Sequence, residues 1–411
     1  SPTLATAAAP GRLPLAGLRV IEFGGFWAAP RCAAILAELG AEVIKVETVK
    51  RPDLRDVVTT ADGHLEVVPK PFFHVVNGNK RSVTIDLEVP EGRDLILDLA
   101  RRSDIVVENF RPGTLARFGL GFESLEAVNP RLILVSLSGF GQAGPYRGHS
   151  AYGPIVESMS GVRSLLGYEG EGRTHLAGFS YADPLSGAIG AVATLVALAK
   201  SERDGAGSHV DVSQIEGLLS VTPELLLEYA ATGNDAEPAG NREGHTAPYG
   251  LYRCAGDDDW LAIGFRDTDP WEDLCRHLGI TGPARSAFAS VDARREHAAE
   301  VDRLVAAALA GRDKFEVAQA LQGRGIPAAA CVSIKELLDN RTMFDDGAFV
   351  NWADGDLATT TYGQLIRFNG RKPLHIDPAP PFGADNDYVL GQILGLNESE
   401  RSKLVAAGAI R

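Results

Sequence analysis

An aspartate followed by a proline lies where a long apolar segment of the chain begins. The stretch from Gly178 to Gly187 reads GFSYADPLSG and leads into a helix predicted over about 188–200. Asp183 and Pro184 are typical of an N-cap and N1 pair, and capping alone would account for both. A carboxylate at a helix N-terminus is also favoured as the anion, which suits a nucleophile. Capping and nucleophilic catalysis therefore both remain open for Asp183.

Two polar loops follow predicted strands, in the position where functional residues are often found. They are residues 109–113, which read NFRPG, and residues 138–141, which read SGFG. Basic residues are concentrated in the same first third of the chain: Lys80, Arg81, Arg101, Arg102, Arg111 and Arg117. These side chains are candidates for holding an anionic ligand, although surface ion pairing is the more common role of such residues.

The elements that would position these loops alternate between strand and helix. An apolar run at 18–23 ends at Gly24-Gly25, a helical pattern follows, and a second strand is predicted at 42–47. Glu47 lies about twenty residues after the glycines, as in dinucleotide-binding folds. The third glycine of that fingerprint is missing, so a nicotinamide dehydrogenase is only a runner-up.

The alternation continues along the next hundred residues. Strands are predicted at 83–87, 104–107 and 132–137, with a helix that begins at Pro90 between the first two. Strands separated by helices favour an α/β fold with a parallel, doubly wound sheet. Ligands of such sheets bind at the carboxyl ends of the strands.

Composition narrows the classes of function. A chain of 411 residues with 45% hydrophobic residues indicates a globular protein of two domains, and a net charge of −14 argues against nucleic acid. The cysteines Cys32, Cys254, Cys275 and Cys331 are scattered, which favours buried free thiols over a metal site or disulfides. No apolar run approaches the length of a membrane span, so we expect a cytoplasmic protein with a loose N-terminal tail. Because the cysteines are scattered, we also expect no metal.

Several short motifs, in order along nearly the whole chain, resemble the family III CoA-transferases, which include formyl-CoA transferase and carnitine CoA-transferase. The matching segments are Leu15–Phe23, Gly40–Glu47, Asn79–Ser82, Glu108–Gly113, Asn129–Ile133, Asp183–Gly187, Gly205–Ser213, Gly240–Arg242, Ala247–Gly250 and Leu394–Leu396. Each motif is weak alone, but their shared order makes the resemblance specific.

The resemblance implies a Rossmann-like large domain built from both chain ends, a smaller α+β domain, and an interlocked homodimer. Mapped onto this sequence, the large domain is 1–222 with 370–411, and the small domain is 223–369. A heteromer with a paralogous chain is the other assembly the resemblance allows. A glycine-containing loop at 240–244 corresponds to one that closes over the site, although a simple turn is equally open.

The resemblance also implies coenzyme A as the substrate thioester, with a carboxylic acid as acceptor. Asp183 would form an aspartyl anhydride and then an aspartyl-CoA thioester, and neither metal nor ATP would take part. The positions that match the family's CoA contacts are Trp27, Ala28, Asp86, Leu87, Asn109, Phe110, Arg111, Arg117, Ser150, Ala151 and Tyr152.

Departures from the family pattern bear on specificity. Trp27 replaces a glutamine, and Gly153 replaces a glutamate, of the oxalate-handling members, which argues against oxalate. We interpret Trp27 and the space left at Gly153 as favouring a larger, less polar acid. Thr48 stands where a basic residue is expected near the adenine, with Lys50 and Arg51 as possible substitutes.

Two alternatives share the fold. An acyl-CoA racemase abstracts an α-proton with a histidine and carboxylate pair, for which His149 and His175 are the candidates. A non-catalytic subunit of a heteromeric transferase is the second, although the presence of Asp183 speaks against it.

Overall fold

A computed structural model describes residues 13–59, 65–168, 171, 175, 178–238, 240–241, 246–354, 357–372 and 376–411. The predicted N-terminal tail up to residue 12, and residues 242–244 of the predicted glycine loop, lie outside these ranges. The chain forms two compact units. The first comprises Ser1–Arg163, Ala177–Asn234 and Phe344–Arg411, and the second comprises Ser164–Leu176 and Asp235–Met343.

The first part of the chain alternates strands and helices. In order, its elements are β1 (Arg19–Glu22), α1 (Ala28–Glu38), β2 (Glu42–Glu47), β3 (Arg55–Thr59), β4 (Leu65–Pro69), α2 (Pro71–Asn77), β5 (Arg81–Thr84), α3 (Pro90–Ala100), β6 (Ile105–Glu108), α4 (Thr114–Arg117), α5 (Phe122–Val128), β7 (Ile133–Ser138), α6 (Gly153–Met159), α7 (Ala182–Asp204), β8 (Ser208–Ser213), α8 (Gln214–Ser220) and α9 (Pro223–Thr232). A short 3-10 helix, Val162–Leu165, follows α6.

The remaining elements form the second unit and the return of the chain. They are β9 (Tyr249–Arg253), β10 (Trp260–Gly264), α10 (Trp271–Leu278), α11 (Pro283–Ala287), α12 (Val291–Glu296), α13 (Ala298–Leu309), α14 (Lys314–Gln322), β11 (Ala328–Cys331), α15 (Ile334–Asp339), α16 (Arg341–Asp345), β12 (Phe349–Asp354), β13 (Leu357–Tyr362) and α17 (Glu398–Ala406). A π-helical segment, Asp387–Ile393, precedes α17.

A six-stranded parallel sheet forms the centre of the first unit, in the order β5-β2-β1-β6-β7-β8. This is the strand order of a Rossmann fold, with the reversal between β1 and β6. The predicted α/β class and parallel sheet are confirmed.

Each face of the sheet carries its own apolar layer. Alternate residues such as Val20, Val43 and Val107 pack with α1 and α7 on one face. Their neighbours, including Ile21, Ile44 and Val106, pack with α3 and α5 on the other. Because successive strand residues point to opposite faces, the continuous apolar runs of β1 and β6 serve both layers.

Helix α7 lies against α1 and the sheet, and small residues allow this contact. A side chain at Gly187 would approach the Ala28 carbonyl oxygen to 2.9 Å and Arg31 Cβ to 2.8 Å. The helix is 23 residues long, and by length and composition alone it resembles a membrane span. Its buried residues, among them Thr194 and Leu198, face the core of this unit.

The C-terminal segment covers the edge of the sheet at β5. The backbone amides of Ser82 and Thr84 donate to the side chains of Asp385 (2.9 Å) and Asn386 (2.8 Å). Side chains thereby satisfy amides that would otherwise be open for pairing with another strand. The same contacts bring residues 385–386 beside a strand from the first ninety residues.

The β12–β13 hairpin packs in the first unit, inside the range that the sequence analysis assigned to the small domain. The Tyr362 hydroxyl donates to the Val75 carbonyl oxygen at 3.0 Å, and Gln364 Nε2 donates to the Glu38 carbonyl oxygen at 2.7 Å. These long-range bonds tie the hairpin to α1 and α2. The unit boundaries at 234 and 344 therefore differ from the predicted 222 and 370.

The second unit contains an antiparallel three-stranded sheet, in the order β11-β10-β9. Helices α10, α13 and α14 cover one face of it, with Leu261, Ile263, Leu274, Val305 and Leu321 in a continuous apolar core. Cys254 and Cys275 are buried free thiols of this unit, as Cys32 is of the first, while Cys331 is half-buried.

Candidate active site

The loops at the reversal of strand order are joined by a reciprocal pair of hydrogen bonds. The Gly25 amide donates to Asn109 Oδ1 at 2.9 Å, and Asn109 Nδ2 donates to the Gly25 carbonyl oxygen at 2.8 Å. Gly25 follows β1 and Asn109 follows β6, so the pair closes the carboxyl end of the sheet where ligands of this fold bind. Asn109 thus holds the loop after β1 in place.

A cleft of about 420 Å³ opens at this edge of the sheet. Three of the predicted CoA-contact residues, Asp86, Leu87 and Phe110, line it together with Phe26 and Thr114. Its walls are apolar side chains with a few charged groups, as is usual for small-molecule sites. The fold thus brings predicted contact residues from two separate segments of the chain to one cavity.

The two basic residues proposed as substitutes near the adenine, Lys50 and Arg51, also line the cleft. Lys50 Nζ lies 2.7 Å from Asp86 Oδ2 and 3.2 Å from Glu88 Oε2. Arg51 lies 3.7 Å from Glu88 Oε1. The mouth of the cleft therefore carries cations whose charge is shared with neighbouring carboxylates.

Other predicted contact residues lie outside the cleft lining, as far as the described residues show. Trp27 packs edge-on against Phe72, with 5.0 Å between ring centroids, and Ala28 is fully buried at the start of α1. Arg111, Arg117 and Ser150 are exposed. Arg117 donates a hydrogen bond to the Thr114 hydroxyl at 3.3 Å. The exposed positions of these side chains leave them accessible to a ligand that extends beyond the cleft.

Asp183 lies within the first turn of α7, which begins at Ala182, six residues before the predicted start. Capping, one of the two roles left open for Asp183, falls to another residue. The N-cap residue is Tyr181, and the cap is supplied by Glu157 of α6. Glu157 Oε1 accepts hydrogen bonds from the Tyr181 amide at 2.6 Å, the Ala182 amide at 3.4 Å and the Ser180 hydroxyl at 2.9 Å.

The Asp183 carboxylate is consequently available for other contacts. The Gln214 side chain and the Gly153 amide lie close enough to it to favour its charged form. Burial raises the pKa of Asp183 to about 6, the hydrogen bond from Gln214 lowers it, and the nearby negative charge of Glu157 raises it. We expected the helix N-terminus to favour the anion, but burial outweighs that effect. The carboxyl is still mostly ionised at neutral pH.

Gly153 does not leave open space beside Asp183, contrary to our interpretation of the sequence. A Cβ at this position would lie 1.9 Å from Ser180 Oγ and 2.6 Å from Asp183 Oδ2. Ser180 fills the room because Glu157 holds its hydroxyl. The glycine is therefore required for the close approach of α6 to the carboxylate, and the inference of a larger acid no longer rests on it.

Two exposed aromatic rings connect the cleft to the surroundings of Asp183. Phe26, which lines the cleft, makes an edge-on contact with Tyr152, with 5.4 Å between ring centroids. Tyr152 directly precedes Gly153, whose amide contacts Asp183. These contacts link the lining of the cleft to the surroundings of Asp183.

The two histidines considered for a racemase lie in other surroundings. His149 packs between Phe140 and Tyr146, at 6.0 and 5.3 Å between ring centroids. His175 belongs to the second unit, where it pairs with Glu171 at 2.7 Å. The contacts of Asp183 are instead an amide side chain and a backbone amide.

Sequence reasoning missed Phe26, Glu157, Ser180 and Gln214. A weak signal existed for Glu157, the single acid in the stretch from Gly153 to Val162, where an apolar helical pattern would bury it. Phe26 is not among the CoA-contact positions that the family resemblance implies, whereas its neighbour Trp27 is. The positions of Ser180 and Gln214 depend on tertiary packing, which no local pattern conveys.

Glu108, at the end of β6, holds Phe110 of the cleft wall in place. Its Oε2 accepts the Phe110 amide at 2.6 Å, and Ser136, which hydrogen-bonds to it, also lies 3.0 Å from His209 Nε2. Burial raises the pKa of Glu108 to about 7. The folded protein therefore keeps a proton between about pH 4.5 and 7 that the unfolded chain releases, so the free energy of unfolding falls as pH rises through this window.

We expect Glu108→Gln to remove this decrease in the free energy of unfolding with rising pH. Relative to the parent protein, the variant should gain up to about 3 kcal/mol of stability between pH 4.5 and 8, measured by urea unfolding at both pH values. Asp183 adds a slope of the same sign to both proteins and cancels. Glu126→Gln on the exposed side of α5 is the matched control. A stability difference that is equal at both pH values would contradict the assignment.

Comparison with known proteins identifies the class to which this fold and site belong. The model of CoA-transferase family III matches residues 15–386. The chain belongs to this family and is a CoA-transferase. The predicted resemblance is thereby confirmed.

Individual relatives agree with this assignment. The chain is 35% identical to a succinyl-CoA–D-citramalate CoA-transferase of Chloroflexus aurantiacus, over 97% of this chain and 98% of the relative. It is 32% identical to a succinate–glutarate CoA-transferase of Agrobacterium fabrum, over 92% and 96%. A CaiB/BaiF family protein from Brucella suis has a similar structure, with a TM-score of 0.82, 27% identity, and coverage of 93% and 99%.

Proposed function

We propose that this enzyme transfers CoA from an acyl-CoA donor to a carboxylic acid through covalent intermediates on Asp183. The observation that carries the proposal is the Asp183 carboxylate itself. It is relieved of capping by Glu157, and the aromatic wall of Phe26 and Tyr152 connects it to the cleft. A carboxylate with a pKa of about 6 is both ionised at neutral pH and more basic than an exposed aspartate.

The first half of the reaction breaks the donor thioester. An Asp183 oxygen attacks the thioester carbonyl, and the CoA thiolate leaves, which gives an acyl-aspartyl anhydride. The thiolate then attacks the Asp183 carbonyl carbon of the anhydride. This step releases the donor acid as its carboxylate and leaves an aspartyl-CoA thioester.

The second half repeats these steps with the acceptor. The acceptor carboxylate attacks the aspartyl thioester, and the thiolate leaves and attacks the acceptor carbonyl of the new anhydride. The products are the acceptor's CoA thioester and the free Asp183 carboxylate. The Gly153 amide and Gln214, which contact the resting carboxylate, are suited to stabilise the oxyanions that form at its carbon.

The cleft is the proposed binding site of the CoA nucleotide. Asp86, Leu87 and Phe110 would surround the adenine end. The exposed guanidinium groups of Arg111 and Arg117 would pair with phosphates, since arginine binds phosphate oxygens in a bidentate manner. The thioester end would then extend past Phe26 and Tyr152 toward Asp183.

Succinyl-CoA is the donor to test first, because the names of the two relatives above contain succinyl-CoA or succinate. D-Citramalate and glutarate are the corresponding acceptors. We expect succinyl-CoA to label Asp183 after quenching with hydroxylamine, which converts an anhydride or thioester to a hydroxamate. Peptide mass spectrometry locates the label. Asp183→Asn is the control, and intact CoA binding without any label on Asp183 would reject the proposed chemistry.

The apolar surface of α7 and α9 supports a dimer, which we propose to be a homodimer. Val192 and Val196 on α7 are 61% and 65% exposed in the single chain, and Leu227 on α9 is 68% exposed. Apolar residues clustered in this way are typical of a surface that another chain covers. We expect sedimentation equilibrium to give twice the chain mass of 43.7 kDa, and a monomeric mass at micromolar concentration would contradict the dimer.

A further inference from the structure

Helix α7 obtains its N-terminal cap from a different helix. Its own N-cap residue, Tyr181, makes no side-chain capping bond. Glu157, one turn into α6, is 1% exposed and accepts from the amides of Tyr181 and Ala182. An acidic residue of the first turn ordinarily interacts with these free amides. Asp183 is therefore released from the role that its position in the sequence suggests.

Glu157 also fixes the distance between α6 and the nucleophile. Gly153 begins α6 and presents its amide to Asp183, while Glu157 lies four residues later and binds the segment from Ser180 to Ala182. Two attachments one helical turn apart hold α6 against the start of α7. Ser180, held by Glu157, occupies the space beside Gly153. The position of the Asp183 carboxylate thus depends on a side chain that never touches it.

The charges around this carboxylate come from a small number of elements. α6 contributes Glu157, whose Oε2 pairs with the buried Arg163 of the following 3-10 helix. α8 contributes the neutral Gln214, and α1 reaches α7 through Arg31 at Gly187. β7 contributes the apolar Leu137, at Gly190. Glu157 is thus the negative group beside Asp183, and Arg163 moderates its charge.

We propose that Glu157 is a positioning residue for Asp183: it caps α7 in place of the aspartate, and its charge, moderated by Arg163, acts on the nucleophilic carboxylate. This inference rests on the proposed function where it concerns catalysis. The role of Glu157 as a cap of α7 rests only on its hydrogen bonds. Burial and the charge of Glu157 both act to raise the pKa of Asp183, which agrees with this role.

The test uses a diazo ester, which esterifies protonated carboxyl groups, so its reaction with Asp183 reports protonation without requiring CoA transfer. Peptide mass spectrometry of the full-length enzyme gives the pH midpoint of labelling. Glu157→Gln should lower this midpoint by about 0.5 to 1 pH unit, because glutamine keeps the oxygen acceptor but has no charge. Arg163→Gln should raise it, because the charge of Glu157 is then unopposed.

A merely structural role for Glu157 would not give midpoint shifts of opposite sign. Glu157→Ala, which loses the acceptor, should slow labelling of Asp183 by succinyl-CoA about tenfold, and the glutamine variant should recover most of that rate. CoA affinity should stay unchanged in both. An unmoved or raised midpoint in Glu157→Gln, or a full rate in Glu157→Ala, would overturn the proposal.

The failure of the proposed function can be told apart from the failure of this inference. If the parent enzyme forms no adduct on Asp183, the CoA-transfer chemistry on this residue is wrong. The diazo-labelling midpoints would still decide whether Glu157 controls the carboxylate, because they require only the folded protein.

Discussion

Asp183→Asn is expected to lower the rate of CoA transfer by roughly 10⁴-fold or more, the scale seen when a nucleophile is removed. Asparagine has the same shape, and its amide oxygen can still accept from the Gly153 amide and Gln214. It lacks the anionic oxygen that forms the anhydride. The fold and the cleft should therefore remain intact while the chemistry stops.

The measurement is kcat with succinyl-CoA and an acceptor acid, together with the Kd of CoA for the same preparation. We expect kcat to fall and the Kd to change less than about threefold. Asp98→Asn is the matched control, because Asp98 lies on the exposed side of α3 and pairs only with nearby Arg101 in the contacts of the first unit. A transfer rate within tenfold of the parent would show that Asp183 is not the nucleophile.

Local sequence patterns were sufficient for the interior of the sheet. The strand predicted at 42–47 is found at Glu42–Glu47, because its apolar residues are buried in the sheet, where it pairs with β1. The strand predicted at 83–87 is instead Arg81–Thr84. Its polar first residues fit an edge strand, whose amides are satisfied by Asp385 and Asn386 from far along the chain.

Part of the candidate site also could not be predicted from local sequence patterns. The sequence singled out Asp183 at a helix start and Phe110 in a loop after a strand. Asp86 and Leu87 were named only through the family resemblance. A helix start predicts a local cap, so capping was one of the two roles that the sequence left open for Asp183. The capping carboxylate belongs to Glu157, twenty-six residues upstream of the aspartate in the printed sequence. That Glu157 and not Asp183 caps α7 follows only from the packing of α6 against α7.

A substitution at Gly153 tests whether this close packing is needed for activity. We expect Gly153→Ala to lower kcat about 100-fold, because a misplacement of reacting groups by about 1 Å has effects of that size. The new Cβ would lie 1.9 Å from Ser180 Oγ and 2.6 Å from Asp183 Oδ2. α6 and the start of α7 must then separate, or the aspartate must turn away.

Two further variants separate this steric cause from general destabilisation. Gly311→Ala is the matched control, because its added Cβ meets no described atom within 4 Å, and its activity should equal that of the parent. Adding Ser180→Gly to Gly153→Ala removes the Ser180 atoms from the collision and should restore part of the lost kcat. The hydroxyl of Ser180 also binds Glu157, so recovery should remain incomplete. A normal kcat in Gly153→Ala would mean that α6 can move away without disturbing the Asp183 carboxylate, and the close approach would then serve packing alone.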